Sequence, residues 1–270
     1  MGGKKIGKYE IGKTIGYCAF GKVKSATNTK TGEQVALKVL DKSAIQKENM
    51  ERRIKKEISI MKMTACHPNV ARFIEVLSSR TKICIVLEMV TGGELLDKIA
   101  DEYEGRFSED KARFYFRQLL AGVEYCHARR GHHLNLRPDS LLLDKDGNLK
   151  ILYFRLSALC SNESDEGLLQ NTSGTPNYVA PEVLTGRGYD GQKADLWTCG
   201  VILYALLAGF LPFDESSQSR LFKKITAADF SYPPWFSQEV RRLLGQIMTS
   251  GVGSRLAILQ MKEDPWITLG

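Results

Sequence analysis

Two stretches of this chain hold residues whose types could act on a charged ligand. The first is Ile15-Gly16-Tyr17-Cys18-Ala19-Phe20-Gly21, followed by Lys38 at the end of the apolar run Val35-Ala36-Leu37. Glycines let a backbone approach a ligand closely, and a cation carried on a stiff strand suits a phosphate. The second is His133-Leu134-Asn135-Leu136-Arg137-Pro138, with Ser140 just beyond it and Leu152-Tyr153-Phe154-Arg155 further on. Asn135 can accept a hydrogen bond from a hydroxyl, but it cannot take the proton, and general-base help is worth roughly a hundred- to ten-thousand-fold. The Tyr153 phenol is neutral near physiological pH and ligates hard cations poorly, and the Ser140 hydroxyl is a weaker ligand than an amide carbonyl. The first stretch offers a cation and a permissive backbone, while the second offers no carboxylate at Asn135, Ser140 or Tyr153.

The elements that must position these residues follow from hydrophobic spacing. Tyr9 to Ile15, Gly21 to Thr27 and Gln34 to Leu40 read as strands, the last preceded by the turn Thr31-Gly32. Met50, Ile54, Ile58 and Met61 are spaced for one face of a helix, and two more strands are expected over 71–77 and 82–88. Beyond Thr91-Gly92-Gly93 the pattern turns helical. Ser108 can cap a helix with Glu109 and Asp110 in its first turn and apolar residues continuing to Cys126. Short strands are expected over 140–143 and 149–152, and Leu196 to Leu207 is the most buried helix candidate. A small sheet-rich lobe joined to a larger helical lobe is the expected architecture.

With 270 residues, 43% of them hydrophobic and 26% charged, the chain can build a sizeable core. The net charge is +7, and part of it lies in the run Arg52-Arg53 and Lys55-Lys56. That run reads as a solvated helix face, because a nucleic-acid site wants aromatic residues interleaved with the basic ones. None of the six cysteines forms a CxxC pair, so neither zinc nor redox chemistry is indicated, and a reducing, cytoplasmic setting is expected. The N-terminus has no apolar leader, and Met1-Gly2-Gly3 is followed by Ile6 where a myristoylation signal needs Ser or Thr. The apolar run from Leu196 to Phe213 is interrupted by Gly209 and Pro212 and is expected in the core rather than across a bilayer.

Taken in order, these segments resemble the protein-kinase signature set over Tyr9 to Trp266. The plant calcineurin-B-like-interacting serine/threonine kinases are the group the chain resembles most. Gly174-Thr175-Pro176-Asn177-Tyr178-Val179-Ala180-Pro181-Glu182 and Leu207-Ala208-Gly209-Phe210-Leu211-Pro212-Phe213-Asp214 both look like that group. The resemblance implies an α+β bilobal fold: a small antiparallel-sheet lobe with one main helix over about 9–90, a hinge at about 88–93, and a mostly helical lobe over about 94–270. All of 1–270 would then be one kinase-like domain.

Several family positions are retained. Lys38 resembles the strand lysine that holds nucleotide phosphates, and Glu57 its helix partner. Ile15, Gly16 and Gly21 correspond to the glycine-rich loop, in which Cys18 replaces the second glycine. Val23, Ala36 and Leu142 match positions that sandwich an adenine. Leu87, Glu88 and Val90 match the hinge, with Leu87 as gatekeeper, and Glu94 matches an acid near the ribose and the peptide substrate. Met61, Phe73, His133 and Phe154 match an internal column anchored by Asp195, while Glu182 and Arg255 match a buried structural pair.

Other positions are lost. Asn135 stands for the catalytic Asp, Arg137 for a Lys, Ser140 and Tyr153 for the two metal ligands, and Arg155 for a glycine. Leu134 replaces the arginine that reads an activation-loop phosphate. Asp139 and Asp144 match no metal position, and the acidic stretch Glu163-Ser164-Asp165-Glu166 reads as a solvated loop.

These losses lead first to a pseudokinase, a regulatory or scaffolding module that binds ATP without efficient phosphoryl transfer. Three roles stay open at this point: an empty scaffold, a nucleotide sensor, and a serine/threonine kinase of atypical or weak activity. ATP remains a candidate cofactor, and the same losses argue against magnesium. The resemblance implies signalling partners, either an active kinase or a calcium sensor, with no nucleic acid and no membrane segment.

Overall fold

The computed structural model describes residues 4–18, 20–152, 176–185 and 188–269. Its first half is a six-stranded antiparallel sheet in the order β1-β2-β3-β4-β6-β5. The strands are β1 (Lys5–Ile6), β2 (Tyr9–Cys18), β3 (Gly21–Asn28), β4 (Gln34–Asp41), β5 (Phe73–Ser78) and β6 (Lys82–Glu88). Positive-φ glycines make two of the turns: Gly7 between β1 and β2, and Gly32 between β3 and β4.

The sheet is apolar on both faces. One carries Val23, Ala36, Leu40, Ile85 and Leu87 against Ile54 and Met61 of a helix, and the other carries Tyr9, Ala26, Val35, Leu37 and Val86. That explains why β4 reads as an almost continuous apolar run instead of an alternating one.

Two helices lie between β4 and β5. α1 (Lys42–Lys47) was not expected, because its start is hidden at the end of the apolar β4 run. Its cap is the Asp41 carboxylate, which accepts from the N–H of Ser43 and of Ala44. α2 (Glu51–Met63) buries Ile54 and Met61, as its spacing predicts. The strand expected from Ala71 starts two residues later, at Phe73. Ala71 is drawn instead to the second half of the molecule, its N–H donating to the Ile151 carbonyl at 2.9 Å.

The second half is helical around a two-stranded ladder, β7 (Leu141–Leu143) and β8 (Leu149–Ile151). α3 (Glu109–His127) is capped by the Ser108 side chain, which accepts from the Lys111 N–H. α4 (Pro181–Leu184) precedes α5 (Gly191–Ala208), which is capped by Asp190 and closed by left-handed Gly209. α5 is buried nearly all round, so it is the centre of the helical core and has no polar stripe. α6 (Gln218–Ala227), α7 (Gln238–Ile247), α8 (Ile258–Lys262) and α9 (Pro265–Thr268) pack around it. Among the described residues, no helix is long and apolar enough to cross a membrane.

The architecture is the expected bilobal α+β arrangement, a curled antiparallel sheet lobe with a helical lobe.

Candidate functional site

The glycine-rich segment and Lys38 lie on β2, β3 and β4. Gly21 is fixed by close approach: a Cβ there would stand 1.9 Å from the Val39 carbonyl oxygen on the neighbouring strand. Gly16 is under no such constraint, since its Cβ would meet only Val23, at 3.8 Å. Cys18 and Phe20 pack half-buried against the cluster that holds Val23, Ala36 and Leu87, while Ile15 is 44% exposed at the rim.

Lys38 is fully buried, and its Nζ donates to Glu57 Oε1 at 3.0 Å. The pair bridges β4 and α2. Burial pushes the Glu57 carboxyl above its ordinary range, and Lys38 and Arg53 pull it back only in part. Arg53, one turn before Glu57, has an Nη2 that is buried without a hydrogen-bond partner.

The segment expected as the hinge is placed by strand register. Leu87 is 3% exposed and stands opposite Ala36 on β4 and Phe73 on β5. The Glu88 carboxylate accepts from Lys150 Nζ on β8 at 2.9 Å and from the Arg72 N–H at 2.9 Å, so its side chain ties the end of the sheet to the helical half. Val90 is half-buried beyond it. Gly92 then runs against β7, with its N–H donating to the Leu143 carbonyl at 2.7 Å. A Cβ on Gly92 would lie 2.6 Å from the Leu143 and Asp144 oxygens. This contact brings Glu94 into a bridge with Leu142, which is half-buried on β7. Burial, and then Asp97 and Asp139, push the Glu94 carboxyl up.

The lower loop hangs on Asp195 of α5, which is 1% exposed. Its carboxylate accepts from the His133 N–H at 2.8 Å and the Leu134 N–H at 2.7 Å, and lies 2.8 Å from His127 Nε2. Burial raises the Asp195 carboxyl, but the His127 bond and the surrounding donors outweigh it and hold the group below its ordinary value. Leu134 is held in the left-handed region, at φ 58°, by these bonds. His133 reaches on to the Leu152 carbonyl at 2.9 Å. Asn135 is 9% exposed, and its backbone N–H points to His133 Nδ1 at 3.4 Å.

The remaining polar groups of this loop bond to one another. The Ser140 hydroxyl donates to the Arg137 carbonyl at 2.8 Å and accepts from the Arg137 N–H at 2.9 Å. The Arg137 guanidinium grips the Asp139 carboxylate through Nη2 at 2.8 Å and Nε at 3.3 Å. Below the loop, Arg255 is fully buried and holds Glu182 in a two-point contact at 2.5 and 2.9 Å.

The structure thus puts Val23, Ala36 and Leu87 in one buried cluster, pairs Lys38 with Glu57, bridges Glu94 to Leu142, and bonds Ser140 to Arg137. Tyr153, Phe154 and Arg155, the acidic stretch 163–166, and Gly174 and Thr175 lie outside the described residues. Lys38 is a buried cation on the same strand as Ala36 of the apolar cluster. The described residues of the lower loop do not suit magnesium, because the Ser140 hydroxyl and the Asp139 carboxylate are both taken by Arg137. Three relationships escaped sequence reasoning: the Ser140–Arg137 ring, the Arg137–Asp139 pair and the Glu88–Lys150 tie. The first carried a readable sign, a serine two residues after a turn-forming proline.

Residues 9–267 match a family model described as protein kinase domain. The chain is 53% identical over 267 residues to CBL-interacting protein kinase 32 of Oryza sativa subsp. japonica, covering 99% of this chain and 60% of that protein. It is 52% identical over 263 residues to CBL-interacting serine/threonine-protein kinase 3 of Arabidopsis thaliana, covering 97% and 59%. A third relative, CBL-interacting serine/threonine-protein kinase 24 of Arabidopsis thaliana, is 53% identical over 266 residues, covering 98% and 58%. The chain therefore spans about three fifths of the length of these relatives.

Proposed function

Because the chain belongs to the protein kinase domain family, with a serine/threonine-kinase-like sequence throughout, we propose that it is a nucleotide-binding regulatory module of that fold in which phosphoryl transfer is inefficient. One observation carries this reading: the lower loop has spent its polar groups on itself. The Ser140 hydroxyl is engaged with the Arg137 backbone, Asp139 neutralises Arg137, and Asn135 cannot take a proton. Phosphoryl transfer depends on charge neutralisation at the metal and on an oriented nucleophile, and these groups supply neither. Lys38 and Glu57 are in contact, which supports ATP binding in which the lysine holds phosphate oxygens.

A second reading is a serine/threonine protein kinase of weak or atypical activity. Family membership and the names of the relatives favour it over the first reading, as does the assembled Lys38–Glu57 pair. It requires metal ligands from outside the described residues.

Thermal-shift titration with ATP, with and without magnesium or manganese, tests nucleotide binding. A radiolabel transfer assay then separates the two readings. Transfer to the protein itself or to basic peptides that disappears on Lys38→Met would overturn the first reading, and no transfer with either metal would overturn the second.

The relatives are named for interaction with CBL proteins. We extend that to the longer protein to which this domain would belong, with a calcineurin-B-like calcium sensor as partner and a cytoplasmic setting. Pull-down of that longer protein with the sensor, with and without calcium, tests the partner.

A further inference from the structure

The net positive charge of the chain lies in its first third. Residues 1–90 hold 18 of the 38 Lys and Arg but only 8 of the 31 Asp and Glu, a net +10, which leaves −3 for residues 91–270. Most of the acids in that third are occupied. Glu33 pairs with Arg72, Asp41 with Lys82, Glu57 with Lys38, Glu75 with Lys8, and Glu88 with Lys150.

α2 carries five of these basic residues against Glu51 and Glu57, a net +3 on a single helix. Arg52, Lys55, Lys56 and Lys62 are exposed and recur at helical spacing along its outer face, with Ser59 between them and Met63 at the end. Among the described residues, Arg52, Lys55 and Lys62 have no ion-pair partner. The inner face of the same helix carries Ile54, Glu57 and Met61 into the lobe.

We propose that the outer face of α2 is a docking surface for an acidic protein segment. The stripe from Arg52 to Lys62 covers eleven residues, ten steps or about 15 Å of helix axis, which four or five extended residues would cover. A membrane surface fits less well, because the apolar side of α2 faces the sheet and the outer face offers only Met63, 48% exposed, for insertion. A nucleic acid fits less well too, because the stripe has no aromatic residue on which a base could stack. An acidic segment laid along the stripe meets its cations with opposite charge and gives a salt-sensitive association. Because Glu57 projects from the other side of α2, such a partner would also bear on the helix that carries the Lys38 contact. The proposal is independent of which reading of the transfer chemistry holds.

The test is fluorescence anisotropy with a labelled twelve-residue Glu/Asp-rich peptide at low and high salt. It compares the whole chain, the triple variant Arg52→Glu/Lys55→Glu/Lys62→Glu, and a charge-matched triple on β1, β2 and the β3–β4 turn, Lys5→Glu/Lys13→Glu/Lys30→Glu. All six residues are exposed, and circular dichroism checks that both variants fold. The expected result is salt-sensitive binding that falls tenfold or more in the α2 triple and less than threefold in the other triple. Equal losses in both triples, no binding by the whole chain, or displacement by phosphatidylserine vesicles or a single-stranded oligonucleotide at lower concentration than by unlabelled peptide would each overturn it.

Discussion

The hydroxyl of Ser140 and the backbone of Arg137 form a closed ring, with Ser140 Oγ donating to the Arg137 carbonyl at 2.8 Å and accepting from the Arg137 N–H at 2.9 Å. The side chain expected at a metal-ligand position braces the loop. Ser140→Ala should then cost about 1 kcal/mol of unfolding free energy, because the half-buried Arg137 N–H loses its acceptor while the Arg137 carbonyl keeps the Ser140 N–H at 3.0 Å. Urea denaturation measures it. A cost near zero would mean that the ring adds nothing and that the hydroxyl is available to a ligand.

Lys38 and Glu57 should be coupled. Lys38→Met strands a nearly buried carboxylate and should cost roughly 3 kcal/mol, whereas Lys38→Met with Glu57→Leu should recover most of it. A double-mutant cycle by denaturation checks this, and purely additive losses would show that the pair carries no coupling energy.

The histidines around Asp195 should make the fold sensitive to mild acid. His132 and His133 are both held below the ordinary 6.5, chiefly by burial. A group with a depressed folded value adds stability above its unfolded value and loses it as pH falls through the folded one. The groups facing His132 are Asp195 and Asp190, which oppose the shift, and His127 and Lys56, which deepen it. Stability should decline between about pH 7 and pH 5, and decline less in His132→Gln. Superimposable pH profiles of the two proteins would exclude His132 as a source of the effect.

The two glycines retained in the upper loop should behave differently. Gly21→Ala places a Cβ against the Val39 carbonyl and should break the β3–β4 pairing locally, at a cost of about 2 kcal/mol or more. Gly16→Ala meets only Val23 at ordinary contact distance and should leave the melting temperature nearly unchanged. Thermal melts of the two variants decide it.

Much of this protein was legible before any coordinates. The strand and helix periods, Ser108 as a helix cap, the paired Glu182 and Arg255, and the order of the motifs pointed to a bilobal kinase fold. Asn135, Ser140 and Tyr153 lack a carboxylate however the chain packs, so the loss of those groups needs no structure to be seen. Side-chain period and chemical type are local properties, and a sequence states them directly.

What the surviving polar groups do was decided only by tertiary structure. Nothing in the spacing of Glu88 and Lys150 says that they meet, or that Asp195 takes donors from His127, His133 and Leu134. α1 was hidden for a related reason, since the end of an apolar strand and the start of a capped helix share Asp41. The same holds for the basic run on α2. Its sequence gives the charge, but only the fold shows that Glu33, Asp41 and Glu75 are paired elsewhere in the lobe and that Arg52, Lys55 and Lys62 are exposed together. Hydrogen bonds and ion pairs act over a few ångströms, so the choice of partner among groups distant along the chain belongs to the packed structure.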